Sequence, residues 1–279
     1  MGVAGKAGID RDQWAQCVQE QGWLWNPASD EVKSAQPQTL VLAHGAGAPM
    51  DSAWMTGMAE RLAARGVNVL RFEFPYMAQR RLDGGKRPPN QQAKLLECWR
   101  QVYAGVRQHV AGQIAIGGKS MGGRMASLVA DELGVDALVC LGYPFYASGK
   151  PEKPRVAHLA GLQTATLIVQ GERDALGNRQ AVEAYTLAPG IELHWLVAGD
   201  HDLKPLKVSG FTHEKHLDAA ADKIAQWLPL YGASLLASCS SEELASKLAP
   251  TGKGGQCLTV EPLHQRILGV YGAGQFFAQ

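Results

Sequence analysis

Residues 114–127 read IAIGGKSMGGRMAS: a short aliphatic run, a cluster of glycines around Gly-Lys-Ser, then a helix-like stretch. Two unrelated chemistries use such a cluster, a loop that cradles phosphates and a sharp turn that presents a nucleophilic serine. A phosphate loop of the G-x-x-x-x-G-K-[ST] type needs its first glycine five positions before the Gly-Lys pair, so that successive backbone N–H groups can wrap the phosphates. Gln113 occupies that position, and Ile114-Ala115-Ile116 reads as strand, leaving too little loop to encircle anything. A nucleotide-binding protein, recognisable by magnesium-dependent affinity for ATP or GTP, is therefore the weaker reading.

The other pattern, G-x-S-x-G, is complete in Gly118-Lys119-Ser120-Met121-Gly122, and it sits between an apolar strand and a helix, where a nucleophile elbow must sit. The turn strains the serine backbone, so small residues are needed two positions to either side, and Gly118 and Gly122 supply them. The helix starting at Met121 points its N–H groups and positive dipole end toward a developing oxyanion.

Outward from this turn, short aliphatic runs alternate with longer helical windows, the rhythm of a mostly parallel sheet covered by helices on both faces. Strands are expected at Thr39 to Ala43, Val67 to Phe72, Gln113 to Ile116, Ala137 to Leu141, Thr166 to Val169 and Glu192 to Val197. The last of these alternates polar and apolar residues, as an edge strand does. Helices are expected at Ser52 to Ala64, Gln91 to Val110, Met121 to Leu133, Arg179 to Leu187 and Glu214 to Trp227. An α/β domain over 39–230 follows from this rhythm. An N-terminal extension, 1–38, packs on it as a short helix and an extra strand. The tail, 231–279, has no strand–helix alternation and one short capped helix near Ser241 to Leu248. About twenty residues separate Leu141 from Gln163, too few for a large lid domain, so an open pocket suited to small groups is expected.

On this architecture the acid and the base follow the serine, each on a loop at the carboxyl end of a later strand. Gln170-Gly-Glu-Arg-Asp174 follows one strand and Ala198-Gly-Asp-His201 follows the next. A serine hydroxyl is not ionised near neutrality, so His201 would take its proton and Asp174 would orient the imidazole. Glu172 is the alternative carboxylate; Asp200 and Asp202 adjoin His201 too closely to face its ring. The oxyanion hole is assigned to the N–H groups of Met121 and Ala46, with Gly47 as the fallback in the small-residue loop His44-Gly45-Ala46-Gly47-Ala48. Candidate substrate-lining residues are His44, Gly45, Tyr76 and Tyr143, all near strand ends; His44 is also read as a holder of its own loop, and Tyr143-Pro-Phe-Tyr146 as either a wall beside Ser120 or core. Arg80 to Arg87, RRLDGGKR, is read as a charged loop, or as cations facing an anionic acyl group.

His213 and His216 lie at i, i+3 but lack the H-E-x-x-H pattern and a third ligand, so a solvated helix start is expected there and no metal. No cofactor is required by the proposed chemistry. The formal charge of +1, from 27 basic and 26 acidic residues, gives no global pull toward nucleic acid or an anionic bilayer, and a small-molecule acyl substrate is the expected partner. Five widely spaced cysteines without a Cys-x-x-Cys pair read as free thiols. With no secretory core at the start and no run of about 18 apolar residues, a cytoplasmic location is expected.

With these residues in hand, the stretch from about Thr39 to Trp227 resembles the lidless, dienelactone-hydrolase-like branch of the α/β-hydrolase superfamily. The strings GGKSMGGR, LGYPF with GKPEKPR, and GDHDLKP are similar to a small family of bacterial α/β-hydrolase-like proteins. That family includes the testis-expressed hydrolase-like protein and a scaffold subunit of the NSL histone-acetyltransferase complex. The resemblance implies the fold and the roles of Ser120, Asp174 and His201 as a serine esterase or thioesterase. Its scaffold member implies the alternative, a catalytically silent hydrolase-like binding protein. The tail beyond Leu230 departs from the family pattern, and the serine departs from dienelactone hydrolase itself, which uses cysteine.

Overall fold

The structure, a computed structural model, describes residues 11–32 and 38–238 of the 279-residue chain. The strands are β1 (Leu24–Asn26), β2 (Gln38–Ala43), β3 (Val67–Phe72), β4 (Gln113–Lys119), β5 (Ala137–Leu141), β6 (Tyr146–Ala147), β7 (Lys150–Pro154), β8 (Thr166–Gly171) and β9 (Ile191–Leu196). The helices are α1 (Arg11–Glu20), α2 (Ala53–Ala63), α3 (Pro75–Asp83), α4 (Gln92–His109), α5 (Met121–Ser127), α6 (Ala130–Leu133), α7 (Arg179–Val182) and α8 (His213–Ser238). Seven strands form one sheet in the order β1-β3-β2-β4-β5-β8-β9, parallel throughout except for β1, which runs antiparallel to β3.

The period-2 geometry of a strand divides its side chains between two faces, and both faces here are covered. Val41, Leu70, Phe72, Ile114, Ile116, Leu138 and Ile168 meet Trp99, Val102 and Val106 of α4 and Met125 of α5 on one side. Leu40, Leu42, Val67, Val69, Val139 and Leu167 meet Met55, Met58 and Leu62 of α2 and Leu217, Ile224 and Trp227 of α8 on the other. Each large apolar side chain fully withdrawn from water contributes about 1.5–3 kcal/mol. Two such layers explain why the central strands read as unbroken apolar runs, while β9, at the sheet edge, is half-buried along most of its length.

At the opposite edge, α1 and β1 dock through an aromatic cluster in which Trp14 stands edge-on to Trp25, ring centres 5.1 Å apart. Buried Arg71 ties this addition to the sheet, donating to Asn26 Oδ1 at 3.0 Å and to the Met50 carbonyl at 2.8 Å.

Several elements differ from the sequence expectation. The charged stretch from Arg80 is the second half of helix α3 up to Asp83, with Pro75 in its first turn and Gly84 ending it at φ 71°. Pro at the start and a left-handed glycine at the end are the usual marks of a helix, and the run of charges concealed them. The expected helix from Met121 to Leu133 divides into α5 and α6. Ser127 at the break turns its hydroxyl back onto the Arg124 carbonyl at 2.8 Å, a bond that competes with helical pairing. The helix from Arg179 stops at Val182, and α8 runs past Leu230 to Ser238. The segment after β5 holds only the β6–β7 hairpin and a 3-10 turn, Ala157–Gly161, so no lid domain covers the sheet edge. The capped helix expected near Ser241 lies outside the described residues.

Candidate active site

Strand β4 delivers its last residue, Lys119, to the carboxyl edge of the sheet, and Ser120 turns the chain into α5 with φ 53° and ψ −117°. A side-chain-bearing residue in such a region costs about 1–3 kcal/mol, so its surroundings must enforce it. The Ser120 N–H donates to the Leu141 carbonyl at 2.9 Å, fixing the turn to β5. The turn also packs too tightly for flanking side chains: a Cβ on Gly118 would lie 2.6 Å from the Gly122 carbonyl carbon, and one on Gly122 would lie 2.6 Å from both the Ala43 and His44 oxygens.

Two loops from later strands reach this turn. His201, after β9, places Nε2 2.9 Å from Ser120 Oγ. Its Nδ1–H donates to Asp174 Oδ2, after β8, at 2.8 Å. The three residues expected to act together thus form one hydrogen-bonded chain, in which Nδ1 faces the carboxylate and Nε2 faces the serine hydroxyl. Asp174 is fully buried, its Oδ2 accepting also from Gln170 Nε2 and its Oδ1 from the Leu176 N–H, each at 2.8 Å.

The alternative carboxylates point elsewhere. Glu172 accepts from the Ala198 N–H at 2.9 Å and pairs with Arg179 at 3.0 Å, Asp200 accepts from the Asp202 and Lys204 N–H groups, and Asp202 pairs with Lys119.

The loop after β2 crosses over Ser120, where a Cβ on Gly45 would come 3.7 Å from Ser120 Cβ. His44 holds it from below: Nδ1–H donates to the Gly45 carbonyl at 2.6 Å, and Nε2 accepts from the Phe74 N–H at 3.1 Å. Burial lowers the pKa of this imidazole, so it stays neutral. Tyr76 holds the loop from the side, its hydroxyl donating to the Ala46 carbonyl at 2.9 Å. Burial raises the pKa of that phenol. Of the four residues expected to line substrate, only Gly45 adjoins the serine through its backbone. His44 and Tyr76 are buried with their polar atoms spent on backbone, and fully buried Tyr143 donates to the Arg155 carbonyl at 3.1 Å, in keeping with the core alternative for Tyr143-Pro-Phe-Tyr146. Two of the cations in the stretch Arg80 to Arg87 are likewise engaged: Arg81 chelates Asp51 and Glu73, and Arg87 pairs with Asp83.

Sequence reading missed two supports. Gln170 shows no motif, yet its amide accepts from the Tyr143 N–H at 2.7 Å while steering Asp174, and only its place at the end of β8 could have flagged it. His213 and His216, expected to be a solvated helix start, donate to the Asp202 and Leu203 carbonyls at 2.9 Å each, and His216 is buried. They brace the loop that carries His201.

A cavity of about 310 Å³ between α1 and α4, lined by Gln13, Cys17, Trp23 and His109 among others, shares no residue with this arrangement. Ser120 and His201 are half-buried and face the open carboxyl edge. Among the described residues, no helix is long and apolar enough to cross a membrane.

No curated protein matches the chain in sequence. Solved structures match it as a fold. A serine hydrolase without a lid from Xanthomonas campestris aligns with TM-score 0.55 and 20% identity over 74% of this chain and 89% of its own. Est1E from Butyrivibrio proteoclasticus, with ferulic acid bound, aligns with TM-score 0.56 and 16% identity over 74% and 95%. Dienelactone hydrolase from Anabaena variabilis aligns with TM-score 0.54 and 21% identity over 72% and 89%. The profile of the family described as alpha/beta hydrolase domain matches residues 36–229, a span that contains the sheet from β2 to β9, the serine turn and both loops that meet it, and the chain belongs to that family.

Proposed function

We propose that this protein is a serine hydrolase that cleaves small esters or thioesters through an acyl-enzyme. The observation that carries the reading is the continuous chain Ser120 Oγ–His201–Asp174 Oδ2, with links of 2.9 and 2.8 Å. Ser120 Oγ attacks the substrate carbonyl carbon while His201 Nε2 takes the hydroxyl proton, and the carbonyl electron pair moves onto oxygen. Asp174 offsets the charge of the imidazolium. The N–H groups of Met121 and Ala46 receive the oxyanion, a donor of this kind supplying about 3–4 kcal/mol of transition-state stabilisation. Collapse expels the alcohol or thiol, protonated by His201, and leaves acyl-Ser120. Water, deprotonated by the same imidazole, repeats the attack and releases the acid. No cofactor takes part in these steps.

The open edge favours compact acyl groups over long buried chains. Two of the structural neighbours, a serine hydrolase without a lid and a dienelactone hydrolase, agree with this reading. We place the chain in the bacterial hydrolase-like branch on the strings GGKSMGGR and GDHDLKP. The test is a panel of ester, thioester and amide substrates given to wild type and Ser120→Ala. Turnover of at least one ester or thioester that disappears in Ser120→Ala is expected; equal background rates for both proteins would contradict the reading.

A further inference from the structure

The elbow motif constrains its glycines and its serine and leaves the residue before the serine free. Here that residue is Lys119, and its side chain is only 9% exposed. A buried ammonium is costly unless its donors are all used. Its Nζ donates to the carbonyl oxygen of His201 at 2.7 Å, lies 3.2 Å from Asp202 Oδ1 and sits 5.5 Å from the centre of the Trp54 ring.

The segment it grips is strained and externally held. Ala198 and Leu203, neither of them glycine, have φ of 52° and 65°. Three successive carbonyls accept bonds from side chains of other elements: His201 from Lys119, Asp202 from Trp54 Nε1 at 3.1 Å and from His213, and Leu203 from His216. Only the Lys119 bond starts beside the serine, and only it ends on the residue whose ring meets the serine.

We propose that Lys119 is a positioning residue for the hydrolytic reaction: its ammonium ties the His201 peptide to the end of the strand that bears Ser120, and so sets the distance between imidazole and hydroxyl. The role rests on the reading of Ser120 as nucleophile. The lysine that makes the segment look like a phosphate loop is spent on the general base, with no donor directed at a phosphate.

Wild type, Lys119→Met, Lys119→Gln and Asp202→Asn are compared in their rate of labelling by a fluorophosphonate and in kcat and KM for p-nitrophenyl acetate, per folded molecule by circular dichroism. Lys119→Met is expected to lower labelling rate and kcat by about 10- to 100-fold with little change in KM, because a displacement of order 1 Å suffices for such a loss. Lys119→Gln, whose amide reaches toward the same carbonyl, recovers part of the rate. A lysine that merely stabilises the fold would shift the melting temperature and leave the rate per folded molecule untouched; that result in Lys119→Met overturns the proposal. Should Lys119→Met fail to fold, Asp202→Asn decides, since its carboxylate is 68% exposed and its loss leaves the buried packing intact. A several-fold slower rate is expected there, and a wild-type rate overturns the proposal. Wild type that resists labelling removes the nucleophile reading and this role with it, whereas labelled wild type beside an equally fast Lys119→Met removes the lysine's role alone.

Discussion

Ser120 Oγ and His201 Nε2 stand 2.9 Å apart although 81 positions of chain separate the two residues. The parallel sheet makes the meeting possible. Because β4 and β9 run in the same direction, the segments that follow them leave from one edge, and Asp174 after β8 joins them there. Connections at that edge can converge on a single point while the sheet beneath stays rigid.

Asp174→Asn is expected to keep the fold and lose about three to four orders of magnitude in kcat. Asp174 Oδ2 accepts from both His201 Nδ1 and Gln170 Nε2, and Oδ1 accepts from the Leu176 N–H, so an amide must set its NH2 against a donor on one side and carries no charge to offset the imidazolium. Turnover of p-nitrophenyl acetate by folded variant checks this, and a rate within tenfold of wild type would contradict the assignment of the acid.

Gly171→Ala tests the support of the base from the sheet side. A Cβ at this position would come 2.4 Å from both the Gly199 and Asp200 carbonyl oxygens, and the backbone carrying them leads directly into His201. Overpacking of this kind costs about 1–3 kcal/mol. The variant should show a lowered melting temperature together with slowed fluorophosphonate labelling; unchanged labelling would mean that the His201 loop tolerates displacement.

Tyr76→Phe removes the hydroxyl that donates to the Ala46 carbonyl at 2.9 Å. A stability loss of about 1 kcal/mol is expected from the bond itself. The larger effect falls on the rate, because the loop proposed to supply an oxyanion donor loses one of its two tethers. A fall in kcat of about tenfold with KM nearly constant would reflect a transition-state role, the pattern of an interaction made only there. A rise in KM alone would place Tyr76 in substrate binding.

Much of this arrangement is legible in the residues. The central strands are unbroken apolar runs because both sheet faces are covered, and Ser120, Asp174 and His201 follow β4, β8 and the edge strand β9 in the order that the topology requires. What escaped were features that depend on depth. Tyr76 and His216 are polar enough to pass for substrate or surface contacts, and only three-dimensional burial shows their donors spent on backbone, whereas His44 as holder of its loop and Tyr143 as core stood among the sequence readings. The α3 helix was hidden by its exposed arginines, and the break between α5 and α6 by a serine that bonds to its own turn.

Acid should destabilise the protein through its buried histidines. Burial lowers the pKa of His44, and His158 and His194 shift the same way. The unfolded chain, with histidines near their ordinary value of about 6.5, then takes up protons before the folded one does. The stabilisation is complete above that value and is lost as pH falls through it toward the lower folded-state values. Urea midpoints should drop between about pH 8 and pH 5.5, and a midpoint that holds or rises over this range would contradict the neutral, buried state of His44.

The most direct measurement is covalent. Intact protein is treated with a fluorophosphonate, digested, and the adduct located by mass spectrometry, with Ser120→Ala and His201→Ala in parallel. One adduct on Ser120 is expected, absent from Ser120→Ala and strongly slowed in His201→Ala. Folded wild type that takes up no label, or takes it up on another residue, would contradict the claim that His201 activates Ser120.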